Sequence, residues 1–272
     1  MTWNRIIGFI ATLVLAVLFF VPFYFVFVNS VKSFDEIMMN SAALPRQIVW
    51  SNFSQAWHVL RFNQVFINSL VVTVFSIIGI VIMGSMAAYR LARAKTVVNR
   101  VLFYLLISQM VIPFQSIMIP LVQFAKKLGL INHLFGLVVC YYGFGLAFAV
   151  FLFHGFIKGI PKEIEEAAII DGCSPYGVFW RIVFPLLRPI MISVIMIDTL
   201  WIWNDFLLPL LILQKPEVHT IPLAVMSLFS EYLKQWDLAL AALVLCILPM
   251  FVFFKFLQKH ILEGITAGSV KG

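Results

Sequence analysis

The chain has 272 residues, 62% of them hydrophobic and 11% charged, with 19 Lys and Arg against 12 Asp and Glu. A soluble domain averages about 45–50% apolar and about 25% charged residues, so a mean hydropathy of +1.02 excludes a soluble globular protein and indicates an integral membrane protein. The net charge of +7 does not argue for nucleic acid, because the cations sit in short segments between apolar stretches, where they bias orientation across a bilayer.

A crossing helix needs about 20 apolar residues, and six stretches qualify, at 6–28, 66–88, 101–124, 134–153, 190–213 and 238–257. The first follows Arg5 as a signal peptide would. It is too long for such a segment and lacks a small-residue cleavage site, so it is expected to stay as a helix. Between the first two spans, residues 50–60 place Trp50, Phe53, Trp57 and Leu60 on roughly one helical face. Two readings stand there, a helix lying in the membrane interface and a docking surface for an external protein. Asn68 and Ser69 open the second span, which also carries Ser76, Gly79, Gly84 and Ala88. Arg90, Arg93, Lys95 and Arg100 follow in one short loop without an acid. The third span contains Gln109 and Gln115 with Pro113 and Pro120, and the fourth is rich in small residues from Gly136 to Ala149. Small residues let helix backbones approach closely in lipid, so a packed bundle is expected rather than separate anchors. Pro22, Pro113, Pro120, Pro209 and Pro249 read equally as tolerated membrane prolines and as hinges.

Residues 160–189 interrupt this apolar chain and hold four of the 12 acidic residues, Glu163, Glu165, Glu166 and Asp171. Good helix formers fill 162–171, Pro161 suits a first-turn position, and Gly172 is placed to end the helix in a left-handed conformation. Ser174, Pro175, Tyr176 and Gly177 read as a turn, after which 178–187 restarts a helix that Pro185 and Pro189 bend into the fifth span. Two short helices thus make an elbow at the membrane surface. Its three glutamates offer charge, Ile164 and Ile170 offer apolar contact, and Ala167 and Ala168 admit a partner backbone.

Orientation follows from the cations. With the N-terminus inside, the inner side holds Arg5, Arg90, Arg93, Lys95, Arg100, Lys158, Lys162, Arg181, Arg188, Lys255, Lys259 and Lys271, twelve against the seven outside (Lys32, Arg46, Arg61, Lys126, Lys127, Lys215, Lys234). Both termini and the elbow are therefore expected in the cytoplasm.

The run Glu166-Ala167-Ala168, then Gly172, then Ile182, Phe184 and Pro185 resembles the EAA loop of ABC importer permeases, with Phe184 where the family usually has leucine. The resemblance extends over nearly the whole chain and narrows to carbohydrate-uptake permeases similar to the second, six-span permease of maltose-type systems. Asn68-Ser69-Leu70, Pro113-Phe114-Gln115, Ile119-Pro120-Leu121, Trp203-Asn204-Asp205-Phe206 and the tail from Glu263 to Gly272 carry it. It implies an all-α, polytopic bundle of six transmembrane helices with the ABC type I importer permease fold, one transmembrane permease domain over 1–272, in a bacterial or archaeal cytoplasmic membrane. It also implies a coupling loop at 158–189, in which Glu163, Glu166, Ala167, Ala168, Asp171, Gly172, Ile182 and Pro185 engage an ATPase. The implied partners are a second homologous permease, two ATP-binding cassette subunits, an extracytoplasmic solute-binding protein and a sugar.

No phosphate-binding GxxxxGK[ST] loop occurs in the sequence, so this chain is expected to carry no cofactor, with ATP and magnesium bound by the partner ATPases. The five histidines are scattered, Cys140, Cys173 and Cys246 lie far apart, and no protease, hydrolase or metal motif is present. Asp198 and Asp205 are the carboxylates expected within spans, where a charge must face a cavity or a partner. Seven residues apart, they fall on one face of the fifth helix, with Trp201 near and Asn204 adjacent. Two readings stand. A sugar site uses an aromatic plane with carboxylates and amides; alternatively, Asp205 and Asn204 tie the helix to neighbours or cap a break before Pro209. Asn68, Gln109 and Gln115 complete the candidate pathway, with interhelical hydrogen bonding as their other role. An ion-coupled secondary transporter using Asp198 or Asp205, and an ABC permease for a non-sugar solute such as a glycerol phosphate ester, are the alternatives to sugar uptake. Phosphate cargo calls for cations within the spans, and none is placed there.

Overall fold

The computed structural model describes residues 3–231 and 235–269. Lys234 and Lys271 of the cation count, and the last three residues of the tail, lie outside the described residues. Every regular element among the described residues is helical. In chain order these are α1 Trp3–Asn29, α2 Phe34–Met39, α3 Ser51–Val59, α4 Phe62–Arg93, α5 Val97–Ser108, α6 Phe114–Lys127 and α7 Leu134–Lys158. There follow α8 Lys162–Ile170, α9 Pro175–Val178, α10 Phe184–Leu186, α11 Arg188–Asn204, α12 Leu207–Ile212, α13 Ile221–Glu231 and α14 Trp236–Ser269. The chain divides into two compact units, one of Met1–Val65 with Ile221–Phe253 and one of Phe66–Thr220 with Phe254–Gly272.

Among the described residues, four helices are long and apolar enough to cross a membrane, within Ile7–Asn29, Phe62–Arg93, Leu134–Lys158 and Trp236–Lys255, and two bent pairs raise the number to as many as six. The third expected span, 101–124, is not one helix: α5 with its terminal 3-10 turn meets α6 at 108°. Pro113 explains the break, because it lacks an N–H and its ring drives Ile112 out of the helical region, and Ile112 is extended at ψ 120°. The fifth expected span, 190–213, also differs. Here α11 ends at Asn204, Asp205 is extended at ψ 134°, and α12 begins only at Leu207.

In the first unit, α3 is tied to the chain leaving α1 by Asn52, whose buried amide donates to the carbonyls of Ser30 at 3.1 Å and Lys32 at 2.8 Å. The fully buried Lys32 ammonium caps the carbonyl of Asn40 at 3.1 Å. Of the face expected along 50–60, Trp50 is exposed while Leu60 is buried, so that face is shared between the unit's interior and its surroundings.

The second unit carries the candidate site, and small residues hold its long helices together. A β-carbon on Gly79 of α4 would overlap the ring of Tyr142 on α7, and one on Gly145 would overlap Ile80. Gly84 lies against Ala149, where an added β-carbon would stand 3.1 Å from that methyl. Hydrophobicity gives helices in lipid no reason to associate, so close backbone approach with dispersion contact supplies the attraction. The hydroxyl of Tyr142 adds a bond to the Phe75 carbonyl at 3.0 Å.

Candidate functional site

The elbow is built from local rules. Helix α8 ends in a reciprocal backbone closure in which Cys173 N donates to Ala168 O and Gly172 N to Ile169 O, both at 3.0 Å. Gly172 sits at φ +87°, a conformation that glycine adopts without the penalty a β-carbon brings. Ser174 caps α9 by accepting from Gly177 N. The next turn is π-helical over Phe179–Val183 and closes with Phe184 N donating to Phe179 O. Pro185 makes that widening favourable, since its ring cannot stack over the carbonyl four residues earlier in a regular α-turn. Phe184 then packs against Phe179 and Trp180, with ring centroids 5.9 and 5.0 Å away. An aromatic side chain therefore fills this position as part of a three-ring cluster.

One buried cluster fastens the elbow to the bundle. Glu165 turns inward from α8 and meets the end of α4: Arg93 Nε donates to Glu165 Oε1 at 2.7 Å, and the Tyr89 hydroxyl donates to Oε2 at 2.8 Å. Arg93 Nη2 lies 2.6 Å from the same Oε1 and also donates to the Ile160 carbonyl at 2.9 Å. Both carboxylate oxygens are thus satisfied, and the pair is largely buried, with the side chains 15% and 9% exposed. The Tyr89 ring also rests on Phe179, 5.3 Å between centroids, so one tyrosine touches both arms of the elbow.

This arrangement corrects two expectations. Glu165 is not offered to a partner, and Ala168, one turn along the same face, is buried inside this chain. Exposed instead are Glu163, Glu166, Ala167, Asp171, Gly172 and Pro185, with Ile182 half-buried. Ile169, Ile170 and Tyr176 add exposed apolar surface, Ile170 being 86% exposed. Large apolar side chains thus stand out beside charges on this surface helix.

The candidate pathway residues do not all come together. Gln109, Asp198 and Trp201 line one cavity of about 350 Å³ with Phe144 and Phe148 of α7. Asp198 is 2% exposed, and its Oδ2 has no hydrogen-bond partner among the described residues. Gln109 Nε2 donates to the Gly143 carbonyl at 2.6 Å, and Trp201 meets Tyr141 edge-on at 5.4 Å. Asp205 lies beyond the end of α11, so it does not share a helical face with Asp198. Its Oδ1 accepts from Leu207 N and its Oδ2 from the Tyr141 hydroxyl, both at 3.0 Å, which caps the break. Asn204 donates back to the Leu200 carbonyl at 2.7 Å. Asn68 donates to the carbonyls of Glu217 and His219, each at 3.0 Å, pinning the segment before α13. Burial lowers the pKa of His219 from its ordinary value, against the opposing pull of Glu217. Gln115 is exposed on α6, away from the cavity lining. No group of three or more His, Cys, Asp or Glu able to hold a metal ion occurs among the described residues.

Residues 80–266 match the model of a family described as the binding-protein-dependent transport system inner membrane component. The chain belongs to this family. Its relatives include a probable starch degradation products transport system permease of Thermoanaerobacterium thermosulfurigenes, 42% identical over 95% of this chain and 94% of that protein. The melibiose/raffinose/stachyose import permease of Bacillus subtilis is 38% identical over 98% and 97%, and a multiple sugar-binding transport system permease of Streptococcus mutans is 33% identical over 94% and 93%. A solved chain of a bacterial ABC transporter that imports the acidic polysaccharide alginate shares the fold, with a TM-score of 0.79 at 22% identity over 95% of this chain and 98% of that one.

Sequence reasoning counted Arg93 only as a cation in a loop and did not use Tyr89, Tyr141, Phe144 or Phe148. The four-residue spacing of Tyr89 and Arg93, which puts both on one face of a helix end, was the available signal for the first two. Glu165→Ala and Arg93→Ala are each expected to lower the melting free energy of the purified chain in detergent by about 3 kcal/mol, since each strands its partner. The double variant is expected to lose little more than either single one. Additive losses in the melting curves would show that the two side chains do not act on each other.

Proposed function

We propose that this chain is one of two homologous permease subunits of an ATP-driven, binding-protein-dependent importer of carbohydrate in a prokaryotic cytoplasmic membrane. Residues 1–272 serve as one transmembrane domain, with both termini and the elbow in the cytoplasm. The relatives named for starch products, raffinose-type sugars and multiple sugars support the cargo class. The observation that carries the mechanism is the Glu165–Arg93–Tyr89 cluster, which makes the elbow a rigid extension of α4. ATP and magnesium are bound and consumed in two cytoplasmic ATPase subunits. Their closure moves the exposed face of Glu163, Glu166, Ala167 and Ile170, and the buried pair carries that displacement into the spans as rigid-body motion. An external receptor delivers the sugar.

Ile170 stands in water, so Ile170→Asp is expected to leave the melting temperature unchanged. The same change is expected to lower copurification of the ATPase by about tenfold or more, as charge enters an apolar contact. Uptake of labelled oligosaccharide into proteoliposomes is expected to require the ATPase and ATP. Uptake by this chain alone under an ion gradient would overturn the reading.

The cavity lined by Asp198 and Trp201 is where this subunit would touch cargo. A sugar hydroxyl would satisfy the unpartnered Asp198 oxygen, while the flat C–H face of the ring would lie against the aromatic lining. Asp198→Asn is expected to raise the KM for sugar uptake by about tenfold or more, as a buried hydrogen bond to the cargo is lost, with kcat less affected. An unchanged KM alongside a lowered melting temperature would make Asp198 a packing residue.

A further inference from the structure

The loop between α4 and α5 and the end of α7 form a second cavity, separate from the elbow and from the one at Asp198. Lys95, Arg100 and Lys158 converge on a space of about 240 Å³, with Thr96 and Asn99 also in its wall and no carboxylate among its lining residues. All three cations are exposed, and none makes an ion pair with a described residue, the recorded salt bridge being Arg93 with Glu165. Arg93, neutralised there, is not part of this wall. Cations commonly flank spans, but convergence on a concave site goes beyond flanking, because like charges brought together repel unless an anion lies among them.

A second observation shows what that anion carries. Phe103, His154 and Lys158 also border an adjoining groove of about 480 Å³, whose other walls are apolar, including Phe151, Phe156 and Ile190. His154 stacks on Phe103 with ring centroids 3.8 Å apart, so these two rings form a partition with the basic cavity on one side and the apolar groove on the other. Lys158 is the last residue of α7 and His154 lies one turn earlier, about 6 Å along the axis. The basic cavity therefore sits at the end of the span, and the groove runs from it along the span's apolar side. A free phosphate or nucleotide would use the cavity and leave the groove bare. A molecule with an anionic head and an acyl chain fills both.

We propose that this paired site binds an anionic phospholipid, with its phosphate among Lys95, Arg100 and Lys158 and one acyl chain in the Phe151–Phe156 groove. A basic pocket between spans is a recognised way for a membrane protein to select an anionic headgroup. The proposal does not depend on which solute is transported. The lipid would sit where α5 and α7 meet, on the same end of the bundle as the elbow, and would wedge these helices at a fixed separation.

The test is native mass spectrometry of the full transporter assembly, purified through this chain after reconstitution into vesicles of equal phosphatidylglycerol and phosphatidylcholine. Wild type is expected to retain phosphatidylglycerol preferentially, and inorganic phosphate at about 0.15 M ionic strength, the physiological value, is expected not to displace it. The combined Lys95→Gln, Arg100→Gln and Lys158→Gln variant is expected to lower retained phosphatidylglycerol by about tenfold or more, given about fivefold per cation near an anionic lipid. A β-carbon at Gly155, on the groove wall, meets nothing within 4 Å, so Gly155→Trp fills the groove without a clash at its base and is expected to release the lipid while leaving the three cations in place. Equal retention of the two lipids by wild type would overturn the proposal. So would displacement by phosphate with Gly155→Trp silent, which would make the cavity a site for a bare anion.

Discussion

The elbow's orientation against α4 depends on the Glu165 carboxylate, which Arg93 and Tyr89 hold from the end of that helix. Glu165 lies on a nine-residue helix that has too few turns to be stable alone. Its two oxygens are held by three donor groups from the last turn of α4. Such a pair contributes little net stability, because desolvation cancels much of the attraction; its effect is on geometry, since losing either partner leaves a buried charge unmatched. A short helix fixed in this way keeps its orientation under load. The Tyr89 ring against Phe179 extends the restraint to the far arm, and the terminal closure at Gly172 prevents the hinge between the arms from unwinding. The outward face of α8 is left exposed.

Broken helices are the other recurring device. Backbone polar groups inside a membrane must be satisfied internally, so each interruption carries its own remedy. At Pro113 the break coincides with a residue that has no N–H to satisfy. At Asp205 the freed Leu207 N–H finds the carboxylate, and that carboxylate in turn takes the Tyr141 hydroxyl. The interruption near 109–113 borders the cavity at Asp198, because a helix that stops short leaves room that a continuous one would fill. Asp198 Oδ2 has no such remedy among the described residues, and neither has Ser76 Oγ of α4. An unpaired buried oxygen in a membrane helix is costly, and that cost is why we propose the cavity as a place for a ligand.

Much of this was legible beforehand because it rests on local rules. The elbow's bounds, the left-handed Gly172 and the turn at Ser174 follow from caps and breakers acting within a few residues, and the long apolar runs gave α1, α4, α7 and α14. Periodicity failed where a break intervened: a seven-residue spacing puts Asp198 and Asp205 on one face only if the helix continues, and Asn204 is its last residue. Composition alone could not say which of three neighbouring glutamates turns inward, since that depends on α4 arriving beside α8 from 72 residues earlier in the chain. The same long-range dependence hid the partnership of Tyr141 with Asp205, and it placed Gln109 beside Asp198 while leaving Gln115 outside.

The central claim is that the elbow and the end of α4 move as one body. Spin labels on exposed Glu163 of α8 and exposed Arg90 near the end of α4, in the assembled transporter, report that distance by pulsed electron resonance. The account predicts one narrow distribution, unchanged in position between the nucleotide-free state, the ATP-bound state and the state trapped after hydrolysis, even as labels across the two permeases change separation. A shift of more than about 5 Å, one helical turn, between any two of these states would contradict it.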